Sequence, residues 1–243
     1  MSEPKRLGPL IAQGRTAEIY AWGDDQALKL FRAGLPAAWA EREAQVGRAI
    51  WQAGLAAPAI FGDSIVVDGR PGIIYERISG VSMLQRLRSQ PWQSLELARQ
   101  FAAIHAQMHD CTRDELPAQR EQLERGVGRA PGLTPAIKER ILARLERLPD
   151  GTAVCHGDYH PDNVLMSRRG PLVVDWLTAG RGAPMADVAR TTLLVRFSRL
   201  PPEISGPQRW MFEALRDIFY AAYLREYRKR RPAPRPRSRP GCR

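Results

Sequence analysis

The sequence predicts an α+β fold in which a small antiparallel sheet lobe precedes a larger helical lobe. Short runs rich in Ile, Val, Tyr, Trp and Phe, separated by turns that carry Gly and Asp, dominate residues 10–78. From residue 81 onward, apolar residues recur mostly at helical spacing. The change of pattern near Ser79-Gly80 predicts three segments, namely an N-terminal lobe, a helical lobe and a tail: 1–79, 80–227 and 228–243.

The first lobe is predicted to hold five strands and one helix. The runs LIA, AEIYAW and ALKLF predict three strands joined by the turns QGRT and GDDQ. Residues 36–53 begin with Pro36, carry a loose apolar stripe and stop before Gly54, which predicts a helix. The segments AIFGD and SIVVDGRPGIIYERI predict two more strands around an Asp-Gly turn at 68–69, a pair typical of hairpins.

The second lobe is predicted to be mostly helical. Helical signals fill residues 81–109, where Ser94 is a candidate cap, and residues 135–148 form a charged amphipathic pattern. Between them, residues 110–134 are mixed and interrupted by Pro and Gly. The runs TAVC, VLM and LVVD predict a small strand-loop-strand unit, and two further helices follow it.

Composition sets the class of protein. The chain has 243 residues, 44% hydrophobic and 26% charged, which is enough to bury a core. No apolar run approaches the roughly 18 residues that span a bilayer, and the first residues lack the apolar core of a secretory signal. The three cysteines are widely spaced, which indicates neither a disulfide framework nor a zinc knuckle. We therefore expect a cytoplasmic protein with no transmembrane segment.

The positive charge is concentrated in the tail. Residues 228–243 hold seven arginines, one lysine and no acid, which leaves only +3 of the net charge of +11 for residues 1–227. This Pro- and Arg-rich segment is predicted to be disordered. A non-specific contact with a polyanion is one interpretation of the tail, and a solubilising extension without a partner is the other.

The stretch CHGDYHPDNVL and the following LVVDW concentrate polar side chains between apolar runs. If the flanking runs form strands, the oxygen-bearing side chains of Asp158, Asn163 and Asp175 converge at one end of the unit. Hard oxygen ligands of this kind suit Mg²⁺. His156 and His160 leave zinc open as an alternative, although Asn is a poor zinc ligand. A second alternative is that the polar residues only cap turns.

This pattern matches the kinase fold. H-x-D-x-x-x-x-N followed by a strand that ends in Asp is the catalytic and metal-binding pair of that fold. HGDYHPDNVL with LVVDW resembles the aminoglycoside phosphotransferase family, which includes choline-kinase-like enzymes, over residues 7–225. The resemblance implies a protein-kinase-like bilobal fold whose N-terminal lobe binds the nucleotide and whose helical lobe holds the acceptor. It also implies Mg²⁺, ATP or GTP as phosphoryl donor, and a small-molecule hydroxyl as acceptor.

The resemblance also implies roles for the acidic residues of the second lobe. Asp158 would be the catalytic base that accepts the proton of the substrate hydroxyl. Asn163 and Asp175 would be the Mg²⁺ ligands. Asp187, in MADVAR, would brace the catalytic loop, which is a structural role.

The nucleotide contacts are implied in the first lobe. Lys29, in ALKLF, would pair with the phosphates, and Glu43 would be its helix partner, with Glu41 as the alternative because the helix register is open. Four more contacts are implied, two in the phosphate cover and two through backbone groups of the hinge: Gly14, Thr16, Glu76 and Ile78.

The expected function is transfer of the γ-phosphate of ATP or GTP to a hydroxyl of a small molecule, such as an amine, a sugar or an aminoglycoside-like compound. The sequence departs from protein kinases, because QGRTAEIY has one glycine in the phosphate cover and Asp175 is followed by Trp-Leu. Few acids stand in the segments available for the acceptor pocket, so an aminoglycoside does not follow from the sequence. The alternatives are a pseudokinase or nucleotide-binding scaffold, and a nucleic-acid-associated protein that binds through its basic tail.

Overall fold

The computed structural model describes residues 7–198 and 205–232. It opens with five strands, which are β1 Leu10–Gln13, β2 Ala17–Trp22, β3 Gln26–Phe31, β4 Ile60–Val67 and β5 Arg70–Glu76. They form one antiparallel sheet in the order β1-β2-β3-β5-β4. The structure thus has the five strands that the sequence predicts for this lobe. Asp68 and Gly69 both have positive φ angles, of 51° and 71°, as a two-residue hairpin turn requires.

Helix α1, Ala37–Gln52, covers one face of this sheet. Phe31 and Ile73 of the sheet pack against Ala40 and Ala44 of the helix in one buried cluster. Leu28 and Leu30 belong to a different cluster with Trp22, because side chains alternate along β3. Lys29 therefore points to the helix side of the sheet.

Among its described residues, the second lobe contains six α-helices and two small sheets. Its helices are α2 Met83–Ser89, α3 Ser94–His109, α4 Gln119–Arg129, α5 Pro135–Glu146, α6 Pro184–Arg196 and α7 Gly206–Arg230. Its strands are β6 Gly80–Ser82, β7 Ala153–Cys155, β8 Val164–Ser167, β9 Gly170–Val173 and β10 Gly180–Gly182. The predicted architecture, a small antiparallel sheet followed by a larger and mainly helical part, is confirmed.

Three local expectations were wrong. Val81 and Ser82 are not helical but belong to β6, which pairs with β8, and a Cβ on Gly80 would clash with the Met166 carbonyl oxygen. Ser94 is the first residue of α3 and not its cap, and its hydroxyl donates to the Pro91 carbonyl over 2.6 Å. Strand β7 pairs with β10, so it does not belong to the sheet of β8 and β9.

Gly80 begins β6, which pairs with β8 and not with the first sheet. We therefore propose a lobe boundary after residue 79. At the other end, α7 continues to Arg230, so the first three residues of the predicted tail are helical. Residues 233–243 of that tail lie outside the described part of the chain. Within the described residues, no helix combines the length and the apolar character needed to cross a membrane.

The core of the second lobe is built around α3. Phe101 is fully buried and stacks on Tyr159 with 4.1 Å between ring centroids, and Phe219 and Tyr223 of α7 pack against the same ring. The Tyr159 hydroxyl donates to the Phe101 carbonyl over 2.9 Å. Helix α3 therefore connects the C-terminal helix with the HGD loop, by which we mean residues 156–163.

We expect Phe101→Ala to lower the free energy of unfolding by roughly 3–5 kcal/mol, since it leaves a cavity under the HGD loop. Trp92→Ala is the control, because this side chain is 75% exposed and its loss should change stability by less than about 0.5 kcal/mol. Urea denaturation of both variants measures the difference. Equal stability of the two variants would contradict this packing.

Candidate active site

The HGD loop is interlocked with the loop that follows β9. The Val174 amide donates to the Asn163 carbonyl over 3.0 Å, and the Thr178 hydroxyl donates to the His156 carbonyl over 2.9 Å. The buried His156 ring contacts both loops, with Nε2 3.1 Å from the Val174 carbonyl and Nδ1 accepting from the Asp158 amide over 3.2 Å. Burial lowers the pKa of His156, so this ring is a neutral bridge between the loops.

A single buried carboxylate holds the start of the HGD loop. Asp187, at the start of α6, is fully buried, and its Oδ2 and Oδ1 atoms accept from the backbone amides of His156 and Gly157 over 2.7 and 2.8 Å. Burial alone would raise the pKa of Asp187, but hydrogen bonds from His105 and His109 keep it well below its usual range. An ionised acceptor therefore fixes the backbone just before Asp158.

Two buried histidines complete the surroundings of Asp187. The Nε2 atoms of His105 and His109 lie 3.2 and 3.3 Å from its Oδ2 atom, and their Nδ1 atoms lie 2.8 and 2.6 Å from the hydroxyls of Tyr223 and Tyr227. Since Asp187 can only accept, each ring donates through Nε2 and accepts from a tyrosine through Nδ1. Both histidines are buried, and the carboxylate and the tyrosines engage all four of their ring nitrogens.

Lys29, Glu43 and Asp175 meet between the lobes. The Lys29 Nζ atom donates to both carboxylate oxygens of Glu43, at 2.6 and 2.8 Å, and to Oδ1 of Asp175 at 2.9 Å. Glu41, the alternative partner, is exposed. Burial alone would lower the pKa of Lys29, but the two carboxylates outweigh it and raise it. Burial raises the pKa of Glu43 although Lys29 opposes it, and the formal charges of the three side chains sum to −1.

The oxygen donors around this group fit a divalent cation. Asp175 has a positive φ angle of 66°, a strained conformation for a residue with a side chain, and its carboxylate remains 41% exposed. Burial alone would raise the pKa of Asp175, but Lys29 lowers it and keeps it ionised. The Asn163 amide donates to the Asp158 carbonyl over 3.0 Å, which leaves its side-chain oxygen for another partner. Carboxylate and amide oxygens beside a negative group are the chemistry that Mg²⁺ prefers.

Asp158 lies on the HGD loop and is partly open to solvent. The His160 imidazole lowers the pKa of Asp158 and burial opposes it, with 3.7 Å between His160 Nε2 and Asp158 Oδ2. The Arg190 guanidinium lies 3.7 Å from Oδ1, and its Nε atom donates to the Gly157 carbonyl. The negative charge of Asp158 also opposes the lowering of the Asp175 pKa. Asp158 is thus an ionised acceptor whose charge is felt at Asp175.

The other residues that the sequence predicts to contact a nucleotide lie around the first sheet. Gly14 and Thr16 occupy the turn between β1 and β2, and the Arg32 guanidinium donates to the Gly14 and Arg15 carbonyls. At the far end of β5, the Glu76 amide donates to the Ala59 carbonyl, so this amide is not free for a ligand. Ile78 follows in the irregular segment 77–79 and is half-buried.

Sequence reasoning missed three residues of the site. The Tyr75 hydroxyl donates to Glu43 over 2.8 Å, Arg32 closes the glycine turn, and Arg190 faces Asp158. Arg190 could have been found, because it stands three residues after Asp187 on a predicted helix and so shares its face. Tyr75 and Arg32 belong to no motif, and their place in the site follows only from the register of the strands.

One protein-family model matches nearly the whole chain. A family model described as "Phosphotransferase enzyme family" matches residues 9–237. A sequence comparison with curated proteins gives no match.

Among solved structures, an aminoglycoside-3'-phosphotransferase of type VIII is 22% identical, with 96% of this chain and 88% of that chain covered and a TM-score of 0.65. A thermostable mutant of aminoglycoside phosphotransferase APH(4)-Ia, with ADP and hygromycin B, is 16% identical, with 91% and 82% covered and a TM-score of 0.57. A macrolide 2'-phosphotransferase from Brachybacterium faecium is 19% identical, with 95% and 80% covered and a TM-score of 0.52. These likenesses establish the protein-kinase-like bilobal fold.

The buried histidines should make stability depend on pH. Burial, reinforced by the nearby His109, lowers the pKa of His105 from 6.5 to about 4. Between these values the unfolded chain binds the proton and the folded chain does not, so stability is complete above pH 6.5 and falls as the pH falls towards 4. The loss from His105 is about 1.4 kcal/mol for each pH unit.

Urea denaturation at pH 7.5, 6.0 and 5.0 measures this dependence. His105→Gln keeps an N–H for Asp187 and an oxygen for Tyr223, but it cannot titrate. The variant should therefore show a shallower loss of stability than the parent between pH 6.5 and 5, where His156 still contributes. Parallel pH profiles would contradict the low pKa of His105.

Proposed function

The chain belongs to the phosphotransferase enzyme family, and we propose that it transfers the γ-phosphoryl group of ATP or GTP to a hydroxyl of a small molecule. The observation that carries this proposal is the meeting of Lys29, Glu43 and Asp175 beside Asp158 and Asn163. Such a site contains a cation for the phosphates, oxygen ligands for a metal and an acceptor for one proton. Phosphoryl transfer needs little more than these groups in fixed positions.

The Lys29 side of the site would bind the nucleotide. Glu43 fixes the position of the Lys29 ammonium, and the Tyr75 hydroxyl in turn bonds Glu43. The ammonium would bond phosphate oxygens. Asp175 and Asn163 would hold Mg²⁺, which neutralises phosphate charge when bound. Gly14 and Thr16 would cover the phosphates, and the Glu76 carbonyl and Ile78 amide would bond the base. The formal charge of −1 on Lys29, Glu43 and Asp175 together favours binding of Mg²⁺.

The Asp158 side would bind the acceptor. Its carboxylate would orient the acceptor hydroxyl and take its proton while the oxygen bonds to the γ-phosphorus. The bond from that phosphorus to the bridging oxygen of the β-phosphate breaks, and the nucleoside diphosphate leaves. The low pKa of Asp158 keeps it ionised at neutral pH and ready to accept.

A nucleotide-binding scaffold is less well supported, because it needs neither Asp158 nor the buried Asp187 that fixes its backbone. A role in binding nucleic acid through the basic tail stays a prediction from the sequence. The test of the proposed function is incubation of the purified protein with Mg-ATP or Mg-GTP and a panel of hydroxylated metabolites and aminoglycosides. Phosphorylated products found by mass spectrometry support transfer, whereas nucleotide binding without any product supports the scaffold.

Replacement of Lys29 alone would destabilise the protein, because Lys29 and its partner Glu43 are both buried. Lys29→Met alone would leave the Glu43 carboxylate buried without its cation, which typically costs about 3–5 kcal/mol. The double variant Lys29→Met, Glu43→Gln removes both charges and should stay folded. We expect it to lower turnover on an acceptor found in the panel by about 10²-fold or more. Lys138→Met, on α5, is the control, and near-parental turnover in the double variant would refute the role of Lys29.

Asp158→Asn should separate catalysis from nucleotide binding. The amide keeps the shape of the carboxylate but cannot accept the proton, and a general base contributes about 10²–10⁴-fold. We expect a turnover loss in that range with an unchanged dissociation constant for Mg-ATP. Asn163→Ala should instead weaken Mg-ATP binding as well, because it removes an oxygen donor. Titration calorimetry and turnover measure both effects, and full activity of Asp158→Asn would disprove the assignment of the base.

A further inference from the structure

A cavity of about 420 Å³ opens beside the HGD loop. Helices α2, α6 and α7 and the start of α3 form its walls, and His160, Pro161 and Asp162 of the loop form one side. His160 also approaches Asp158 to 3.7 Å. The cavity is thus one side chain away from the proposed base, and its volume is that of a site for a small ligand.

Most of the cavity wall is hydrocarbon. Leu87 of α2, Leu194 of α6, and Phe212 and Leu215 of α7 line it, and none of these side chains carries a polar atom. A ligand that fills this space must therefore bring an apolar body, since a polar one would lose its hydration without new hydrogen bonds.

The charged groups of the cavity are mainly positive. Arg88 and Arg216 line it, and Asp162 is its one acid among the described residues. The Asp162 Oδ1 atom already accepts from the Ser82 hydroxyl over 2.6 Å. Arg216 donates through one terminal nitrogen to the Ser198 carbonyl over 3.0 Å, while its buried Nε atom has no partner in the described part of the chain. The Arg216 guanidinium has five N–H donors, so it can also bond an acceptor group in the cavity.

We propose that this cavity selects hydroxylated organic anions with an apolar body as the phosphoryl acceptors. This inference rests on the proposed function. The anionic group of the acceptor would face Arg88 and Arg216, its hydrocarbon would fill the space between α2 and α7, and its hydroxyl would reach Asp158. A polycation such as an aminoglycoside finds two arginines and one engaged acid here, so it is disfavoured. The acceptor hydroxyl becomes a phosphate ester, its proton passes to Asp158, and the anionic group is unchanged.

The test compares three acceptor sets with Mg-ATP. These are ω-hydroxycarboxylates of graded chain length, α,ω-diols of the same lengths, and hygromycin B. We expect kcat/KM for the best carboxylate to exceed that for its matched diol by about 10-fold or more, the worth of one charged hydrogen bond. Arg88→Glu should abolish this preference by lowering kcat/KM for carboxylates and sparing diols. Arg86→Glu makes the same charge change on α2 outside the cavity lining, and it should leave the preference intact.

Two results with the parent protein would overturn the inference. One is phosphorylation of diols or hygromycin B as efficiently as carboxylates, which leaves the proposed function standing. The other is absence of transfer to every carboxylate, in which case Mg-ATP binding and the wider acceptor panel decide whether the proposed function also fails. A preference that persists in Arg88→Glu would count against the cavity as its source.

Discussion

The buried carboxylate of Asp187 is the interaction on which the site depends. It accepts hydrogen bonds from two backbone amides of the HGD loop and from two histidines of α3, and α7 holds those histidines through two tyrosine hydroxyls. Transfer of a lone carboxylate into a protein interior is costly, so the anion persists there only because four donors surround it. Three helices of the second lobe thus fix the backbone on which Asp158 stands.

The two ends of the site have opposite electrostatic character, and this difference follows from the fold. Between the lobes, Lys29 faces two carboxylates, whose oxygens suit a divalent cation. Beyond His160, the cavity is apolar and carries Arg88 and Arg216. The HGD loop separates these surroundings and contributes residues to both, Asn163 to the first and His160 to the second. Under the proposed function, this one loop of eight residues would align a donor and an acceptor of different chemistry.

The parts of the fold that local pattern controls could be predicted from the sequence, and long-range contacts could not. Strand alternation and the Asp-Gly turn predicted the strands of the first sheet. The spacing of HGDYHPDNVL and LVVDW identified Asp158, Asn163 and Asp175 as candidate site residues. The helix predicted from Val81 onward does not include residues 81 and 82, because their strand β6 forms only by pairing with β8. The tyrosines that hold His105 and His109 come from a helix 118 residues further along the chain, and no local pattern reports such a contact.

The most direct test of this account is amide hydrogen exchange in Asp187→Asn, followed by mass spectrometry of the HGD loop peptide. An asparagine offers one acceptor oxygen in place of two and adds a donor that faces the histidines. The account predicts faster exchange at residues 156 and 157, with unchanged protection in β2 and β3 of the same molecule and a loss of phosphoryl transfer. Parental protection of the loop together with parental turnover would contradict the claim that Asp187 positions Asp158.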